Sequence, residues 1–347
     1  MRPVAERVTD LTPEWLTEAL GDPVVEVAAD RVGTGQIGAT YRLTITYADG
    51  GTGPERLVAK IAAEDAAARA RVAGGYRKEV GFYLDVAPTV AIRAPRCWYG
   101  AISDDANTFT LLLDDLAPAR PGVQARGCTV AEAESALLNL VGLHAPRWDD
   151  DTLRAYDYLD GDVDSGEFLG AVHVQATGQF VARYADVLDA ADVATLRASA
   201  DATATWYTTR RSPFSLVHGD YRLDNLMFHP TGEVSALDWQ TLSLGPAARD
   251  IAYFLGTSLS TGDRRAHEAH LVDVYHRELV AHGVADYDRD RCFDDYRLGQ
   301  LQGPVITVVG CEYATAVRTP EADEMFLAMA RRSCAAIRDL GSLDLVG

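Results

Sequence analysis

A short segment of the chain contains the residue types that phosphoryl transfer requires. Residues 217–225 read VHGDYRLDN, and residues 237–239 read LDW after an apolar, strand-like run. Phosphoryl transfer needs a carboxylate for the acceptor hydroxyl, oxygen ligands for Mg²⁺ and cations for the phosphates. Asp220 can supply the carboxylate, and Asn225 and Asp238 are hard oxygen ligands suited to Mg²⁺. The spacing therefore favours phosphoryl transfer, although Asp, Asn and His also cluster in ordinary turns.

The spacing from Asp220 to Asn225 is that of the protein-kinase catalytic loop, H-R-D-x-x-x-x-N, which a metal-binding Asp follows. Here Gly219 replaces the kinase Arg, and residues 238–240 read DWQ where Asp-Phe-Gly would stand. With these two departures the chain resembles the aminoglycoside phosphotransferase and choline kinase group of small-molecule kinases, from about residue 30 to about residue 260. The resemblance implies a bilobal, protein-kinase-like α+β fold, ATP and Mg²⁺ as cofactors, and a small hydroxylated acceptor.

A glycine-rich segment precedes the first of the predicted nucleotide contacts. Gly33, Gly35 and Gly38 have G-x-G-x-x-G spacing, which in a dinucleotide-binding fingerprint would be followed directly by a helix. Residues 41–47 instead alternate at period two, as a strand does. A strand–glycine turn–strand hairpin is typical of the phosphate cover of kinases, where backbone N–H groups approach the phosphates. An ordinary glycine hairpin is the alternative, and no P-loop motif is present.

One lysine and one glutamate complete the predicted phosphate site. Residues 57–61, LVAKI, match the kinase V-A-I-K pattern loosely, which predicts that Lys60 contacts the α- and β-phosphates. Nineteen residues later Glu79 lies in an amphipathic helical stretch, and we expect it to orient Lys60 by an ion pair. The alternatives are a strand-end lysine in water and a glutamate on a solvated helix face.

Residues 109–118, FTLLLDDLAP, resemble the hinge between the two lobes of this group. The resemblance implies that backbone groups near Asp114 and Leu116 bind the edge of adenine. Asp115 could instead cap a turn. The resemblance also implies that Asp250 braces the catalytic loop. We expect His144 to be a packed, hydrogen-bonded residue.

The order of predicted elements gives a β-rich first lobe and a helical second lobe. Strands are predicted near 23–32, 39–47, 56–62, 96–102, 109–114, 215–217, 226–229 and 233–238. Helices are predicted in a short segment after Thr12, around Glu79, and over 129–145, 168–186, 190–209, 247–260, 264–283, 289–312 and 320–340. The predicted division is a nucleotide-binding lobe over 1–113, a hinge over 114–120, and a helical lobe over 121–347 with the catalytic loop and the substrate cleft.

An acidic stretch over residues 148–167 has two interpretations. Asp160, Asp162 and Asp164 begin like a calcium loop, but Ser165 and Ala171 stand where an EF-hand requires Gly and Glu. A solvated loop is the favoured interpretation. The other is that these carboxylates meet amines of a substrate.

Composition limits the partners of the chain. Its 347 residues suffice for two lobes, and the net charge of −19 disfavours nucleic acid as a partner. That charge either steers cationic substrates or serves solubility, and we favour solubility. The five Cys are scattered without C-x-x-C spacing, no apolar run reaches the length of a membrane span, and the N-terminus lacks a signal-peptide core. We expect a cytoplasmic protein without membrane insertion; the oligomeric state is open.

The predicted activity is therefore ATP-dependent phosphorylation of a hydroxyl group on a small molecule. An antibiotic or other hydroxylated natural product is the leading acceptor, because the HGDYRLDN version of the loop resembles branches with less polar or unassigned substrates. A cellular metabolite such as an amino alcohol or a sugar is the alternative. A regulatory, nucleotide-binding pseudokinase is a further alternative, against which the intact set of Asp220, Asn225 and Asp238 counts.

Overall fold

The structure, a computed structural model, describes residues 3–32, 38–159, 165–209, 212–314 and 318–346. The chain divides into two compact units. Unit 1 comprises Met1–Thr89, Ala94–Pro118 and Asp238–Leu242, and unit 2 comprises Val90–Arg93, Ala119–Leu237 and Ser243–Gly347. The boundary after Pro118 falls inside the predicted hinge range, whereas sequence reasoning did not assign residues 238–242 to the first unit.

Unit 1 is built on an antiparallel five-stranded sheet with the order β1-β2-β3-β5-β4. In chain order its elements are α1 (Pro13–Leu20), β1 (Val24–Arg31), β2 (Gly38–Tyr47), β3 (Arg56–Ala62), α2 (Ala66–Gly81), β4 (Cys97–Ile102) and β5 (Phe109–Asp114). Thr12 caps α1 by accepting a hydrogen bond from the N–H of Trp15 at 3.3 Å, and Pro13 occupies the first turn. The predicted strands of the first lobe are all present.

The alternation predicted for β2 sets the core of unit 1. Leu43 and Ile45 are buried while Thr44 between them is exposed, so one face of the strand packs inward. They join Leu57 on β3, Leu112 on β5 and Leu16 on α1 in a single apolar cluster. Each such side chain contributes about 1.5–3 kcal/mol when it leaves water. This burial fixes the register of the strands that carry Lys60 and Asp114.

Unit 2 is mainly helical, with short strands around the catalytic loop. Its elements are β6 (Arg120–Pro121), α3 (Val130–His144), α4 (Ser165–Arg183), α5 (Ala190–Thr208), β7 (Ser215–Val217), β8 (Leu226–Phe228), β9 (Val234–Ala236), β10 (Ser243–Gly245), α6 (Ala248–Ser258), α7 (Thr261–Ala281), α8 (Arg289–Gly299), α9 (Gln302–Val309) and α10 (Pro320–Leu340). β10 pairs with β7, and β8 lies between β6 and β9. Thr129 and Glu132 form the capping box at the start of α3. The α+β fold class is confirmed.

One predicted helix was wrong, and two strands were not predicted. The helix expected over 289–312 is divided into α8 and α9, followed by a π-helical turn at Gly310–Ala314. Pro304 has no N–H to donate to the carbonyl of residue 300, so a continuous helix cannot form there. The missed strands, β6 and β10, have two and three residues, too short for a periodicity. Among the described residues, no helix is long and apolar enough to cross a membrane.

His173 on α4 is a buried polar group in unit 2. Its Nδ1 lies 2.7 Å from the Oγ1 of Thr203, which itself donates to the carbonyl of Ser199. The hydroxyl therefore accepts from Nδ1–H, and Nε2 has no hydrogen-bond partner among the described residues. Burial lowers the pKa of His173 to about 4. The ring is therefore neutral in the folded chain at pH 7.

We expect this histidine to make the fold sensitive to mild acid. Its folded-state pKa lies below the unfolded value of about 6.5, so its contribution is complete above pH 6.5 and is lost as the pH falls toward 4. Between pH 7 and pH 5 it should remove about 2 kcal/mol of the free energy of unfolding, measured by urea denaturation. His173→Asn should flatten this dependence, whereas His270→Gln, at an exposed position, should not. An unchanged slope in His173→Asn would contradict the prediction.

Candidate active site

One buried carboxylate holds the candidate catalytic loop of unit 2, residues 218–225. Asp250, in the first turn of α6, is fully buried and accepts the backbone N–H groups of His218 at 2.7 Å and of Gly219 at 3.0 Å. Gly219 has a φ of 83°, a conformation that favours glycine. The N-terminus of a helix also stabilises a carboxylate. Asp250 is therefore placed as the resemblance implied, on the backbone of the loop.

Histidine residues complete the support of the loop. His144 is fully buried, with Nε2 at 3.3 Å from Asp250 and Nδ1 at 2.7 Å from the hydroxyl of Tyr275. His218 directs Nε2 to the carbonyl of Leu237 at 3.0 Å, while its Nδ1 accepts the N–H of Asp220 at 3.3 Å. These contacts give both histidines a structural role and fix the backbone at Asp220.

Three donors orient the carboxylate of Asp220. The hydroxyl of Tyr253 donates to Oδ1 at 2.8 Å, while Arg222 Nε and Asn225 Nδ2 donate to Oδ2 at 3.2 Å and 3.0 Å. An ionised carboxylate accepts about four hydrogen bonds, so these donors leave room for one more, such as an acceptor hydroxyl. The Asp220 side chain is 22% exposed, which a group that meets substrate requires.

Asn225 is placed so that its amide can both hold Asp220 and bind a cation. Its Nδ2 donates to the backbone carbonyl of Asp220 at 2.8 Å as well as to the carboxylate. Both donor contacts therefore face Asp220, and the amide Oδ1 is the atom that could bind a metal ion. An amide oxygen is a ligand that Mg²⁺ accepts.

The Arg222 guanidinium links this group to the rest of the loop. Its Nη1 donates to Asp224 at 2.9 Å, and Asp224 in turn accepts the N–H of Gln124 at 2.8 Å. Burial alone would lower the pKa of Arg222, but Asp220, Tyr253 and Asp224 raise it. The side chain is therefore a permanent cation beside Asp220.

Unit 1 contains the second group of predicted site residues. Lys60 Nζ on β3 lies 2.6 Å from Glu79 Oε1 on α2 and 3.5 Å from Asp238 Oδ1. The carboxylate of Glu79 is 1% exposed, and its Oε2 accepts Gln240 Nε2 at 3.1 Å. The two alternatives, a lysine in water and a solvated glutamate, are therefore wrong.

Charge balance keeps Lys60 protonated. Burial would lower the pKa of its ammonium, but the nearby carboxylates of Asp238 and Glu79 raise it above its usual range. Burial also raises the pKa of Glu79, and the Lys60 ammonium opposes that shift. Two carboxylates share a single ammonium, so this group attracts further positive charge such as a divalent cation.

The segment that carries Asp238 is anchored in unit 1 by an aromatic stack. The rings of Trp239 and Phe82 lie 3.5 Å apart between centroids and are nearly parallel, at 6°. Trp239 is fully buried. Asp238 itself has a φ of 64°, which non-glycine residues seldom adopt and which Asp tolerates better than most. Such backbone conformations concentrate at functional sites.

The predicted hinge residues have well-defined contacts in unit 1. Asp114 ends β5, donates its N–H to the carbonyl of Arg96 and accepts Trp98 Nε1 at 2.7 Å. Asp115 pairs with Arg42 at 2.9 Å and accepts the N–H of residue 117 at 3.2 Å, so it does cap a turn. The N–H of Leu116 donates to no described residue.

Part of the predicted site lies outside the described residues. Gly33 and Gly35 fall there, as do Asp160, Asp162 and Asp164 of the acidic stretch. Gly38 is described at the start of β2, where an added Cβ would come within 2.8 Å of the carbonyl oxygen of residue 61. β1 and β2 pair antiparallel, with Arg31 opposite Tyr41. A strand therefore follows Gly38, and the dinucleotide-binding alternative is wrong.

Two of the predicted site residues, one in each unit, carry oxygen ligands of the type that Mg²⁺ accepts. Among the described residues, no group of three or more His, Cys, Asp or Glu side chains could hold a metal ion. Mg²⁺ usually takes one or two protein oxygens and completes its sphere with phosphates and water. Asn225 Oδ1 and the Asp238 carboxylate are oxygen ligands of that kind.

Sequence reasoning missed several residues of these two groups. Tyr253 lies three positions after Asp250 in a predicted helix, so the two share a helix face, and that spacing was the available signal. Arg222 is separated from Asp220 by one residue and lay inside the quoted motif. Gln240 replaces the Gly of the kinase pattern, yet nothing in the sequence connected it with Glu79.

A family model and two curated relatives each match a part of the chain. The model of the ecdysteroid kinase-like family matches residues 160–284. The chain is 54% identical over 46 residues to mouse acyl-CoA dehydrogenase family member 10, and 48% identical over 40 residues to a probable acyl-CoA dehydrogenase, IBR3, of Arabidopsis thaliana. These matches cover 13% and 11% of this chain. The chain therefore spans only 4% and 5% of those two relatives.

Solved structures match nearly the whole chain. A putative aminoglycoside phosphotransferase from Ralstonia eutropha has a TM-score of 0.54 at 16% identity, covering 95% of this chain and 97% of that one. Choline kinase from Cryptosporidium parvum has a TM-score of 0.57 at 10% identity, covering 96% and 94%. A GDP complex of a mutant aminoglycoside 2′-phosphotransferase-IIIa has 0.53 at 13% identity, covering 89% and 91%.

At such low identity these likenesses establish the fold. The chain has the protein-kinase-like fold of the aminoglycoside phosphotransferases and the choline and ethanolamine kinases. The resemblance read from residues 217–225 and 238–240 is thereby confirmed at the level of fold. The chain is similar to kinases that act on small molecules.

We expect Asp250 to be indispensable for the loop, because both of its oxygens accept backbone N–H groups. Asp250→Asn offers one acceptor and turns an NH₂ group toward the second N–H, which leaves a buried donor unsatisfied at a cost of about 1–3 kcal/mol. Urea denaturation should show that loss in the free energy of unfolding. Asp290→Asn, at an exposed position, should behave as wild type. Equal stability of Asp250→Asn and wild type would contradict the role of these bonds.

Proposed function

We propose that the chain is an ATP- and Mg²⁺-dependent phosphotransferase that phosphorylates a hydroxyl group of a small molecule. The observation that carries this proposal is the carboxylate of Asp220. Three donors orient it, it can accept one further hydrogen bond, and one of the donors, Asn225, is itself a proposed metal ligand. A carboxylate so prepared suits a hydroxyl that must be aligned and deprotonated.

The proposed reaction forms no covalent bond to the protein, whose residues position the reactants and stabilise charge. The acceptor hydroxyl donates a hydrogen bond to Asp220, and its oxygen attacks the γ-phosphorus. The new O–P bond forms as the bond from the γ-phosphorus to the leaving oxygen of ADP breaks, and the hydroxyl proton passes to Asp220. Arg222, always charged, keeps Asp220 oriented through the change.

Lys60 is the proposed phosphate contact, and Glu79 holds it in place. Asn225 and Asp238 are the proposed ligands of Mg²⁺, which supplies charge neutralisation on the phosphates when bound. Gly33, Gly35 and Gly38 belong to the proposed phosphate cover. At the hinge, backbone groups of Asp114 and Leu116 are proposed to bind the adenine edge.

For the acceptor we propose an antibiotic or another hydroxylated natural product. The match to the ecdysteroid kinase-like family over residues 160–284 supports a hydroxylated natural product, because that family is named for kinases of such compounds. A cellular metabolite such as an amino alcohol is compatible with the likeness to choline kinase. A screen for ATP consumption with steroids, antibiotics, sugars and amino alcohols distinguishes these acceptors. Mass spectrometry then identifies the compound that carries the added phosphate.

A regulatory, nucleotide-binding pseudokinase is the competing function from another class. It requires nucleotide binding alone, so it gives no reason for a buried tyrosine, an arginine and an asparagine to converge on Asp220. A chain that binds Mg·ATP yet modifies no compound of the screen and hydrolyses no ATP would favour the pseudokinase.

Asp220→Asn should abolish most of the turnover while leaving nucleotide binding nearly unchanged. Proton transfer by a positioned group typically contributes 10²–10⁴-fold, so we expect kcat to fall by about that factor. The measurement is steady-state kinetics on an acceptor from the screen, together with calorimetry of Mg·ATP binding. Turnover within a few-fold of wild type would remove Asp220 from the proposed role.

The two proposed metal ligands should contribute unequally to the affinity for Mg·ATP. Asp238→Ala removes an anionic oxygen ligand, whereas Asn225→Ala removes a neutral one, so the first should weaken Mg·ATP binding more. Calorimetry at matched Mg²⁺ compares the two variants, and ADP without metal serves as the control ligand. Equal losses of affinity in the two variants, or wild-type ATP binding that does not depend on Mg²⁺, would contradict the assignment.

A further inference from the structure

The helix α6 carries two polar side chains that reach the catalytic loop. Asp250 and Tyr253 are three residues apart and lie on the same face of the helix. Asp250 binds the backbone of the loop, and the hydroxyl of Tyr253 donates to Oδ1 of Asp220 at 2.8 Å. One rigid element therefore positions both the backbone and the reactive side chain.

We propose that Tyr253 is a positioning residue for phosphoryl transfer, which sets the orientation of the Asp220 carboxylate toward the acceptor hydroxyl. This inference rests on the proposed function and adds a residue to it. Tyr253 acts through Asp220.

The contact is well suited to that role because the phenol cannot move or lose its proton. Tyr253 is fully buried on α6, so its ring has no freedom to follow the carboxylate. Burial, reinforced by the charge of Asp220 and opposed by that of Arg222, raises the pKa of Tyr253 well above its usual range. The hydroxyl is therefore a fixed donor at every pH at which the enzyme would work.

The other donors to Asp220 do not duplicate this contact. Arg222 and Asn225 both donate to Oδ2, and among the described residues Tyr253 is the side chain that donates to Oδ1. Two donors on one oxygen leave the carboxylate able to turn about its Cβ–Cγ bond. The third donor on the opposite oxygen blocks that rotation.

Loss of the Tyr253 hydroxyl should therefore lower kcat. A misplacement of about 1 Å in a reacting group can lower the rate about 10²-fold. For Tyr253→Phe we expect kcat to fall about 10–100-fold, with an unchanged KM for ATP, because the proposed phosphate contact is Lys60 and Tyr253 acts on the carboxylate that meets the acceptor.

Tyr296→Phe is a matched control for the loss of a buried phenol. Tyr296 is also fully buried in unit 2, and its hydroxyl donates to a carboxylate oxygen, that of Glu268, at the same 2.8 Å. Each variant removes one hydrogen-bond donor from one carboxylate. The two urea midpoints therefore show how much stability is lost with a buried phenol hydroxyl. Only Tyr253→Phe should lower kcat.

A double-mutant cycle with Asp220→Asn separates positioning from a general structural effect. If Tyr253 acts through Asp220, Tyr253→Phe should have no further effect on the residual rate of Asp220→Asn. A structural role would instead reduce that residual rate by the same factor as in the wild-type background. The cycle is measured with an acceptor from the screen and, independently, as hydrolysis of Mg·ATP by water.

The outcomes distinguish the inference from the function on which it rests. If wild type and Asp220→Asn are equally inactive toward every acceptor and toward water, the proposed function fails and the inference falls with it. If Asp220→Asn is inactive while Tyr253→Phe has wild-type kcat, the inference alone is overturned. A lowered kcat in both tyrosine variants, or equal factors in the two backgrounds of the cycle, also overturns it.

Discussion

The loop over residues 218–225 depends on the buried carboxyl group of Asp250, which no arginine or lysine among the described residues contacts. Asp250 is instead satisfied by the dipoles of two backbone N–H groups, by the N-terminus of its own helix and by His144. Such a carboxylate is stable only if those donors converge, so it forces the chain at Gly219 into a left-handed conformation. The position of every group downstream in the loop, Asp220 included, follows from that requirement.

The candidate residues form two groups, one in each unit, and in each group a single cation contacts two carboxylates. In unit 1, two carboxylates share the single ammonium of Lys60, an excess of negative charge that a divalent cation can balance. In unit 2, the Arg222 guanidinium contacts two carboxylates, Asp220 and Asp224. Both groups rely on fixed partners, which is how a site avoids the cost of reorganising charges during a reaction.

The sequence predicted the fold well because the strands and helices have strong periodicity of their own. β2, with its alternating Leu43 and Ile45, and α3, with its capping box, are specified locally. The second layer of the site could not be predicted in the same way. Tyr253 and Gln240 act through residues far away in sequence, and an isolated Tyr or Gln has no local pattern that marks such a contact. The break between α8 and α9 was missed because helical periodicity outweighed the signal from Pro304.

The assignment of Asp238–Leu242 to unit 1 has a consequence for biosynthesis. Chains emerge from the ribosome N-terminus first, and compact regions begin to fold as soon as their residues are available. The sheet of unit 1 is complete once β5 has been made, but Phe82 meets its stacking partner, Trp239, only after more than a hundred further residues have been translated. For the same reason, unit 1 cannot be exchanged between genes as one contiguous segment, since Asp238, one of the two ion-pair partners of Lys60, is encoded between segments of unit 2.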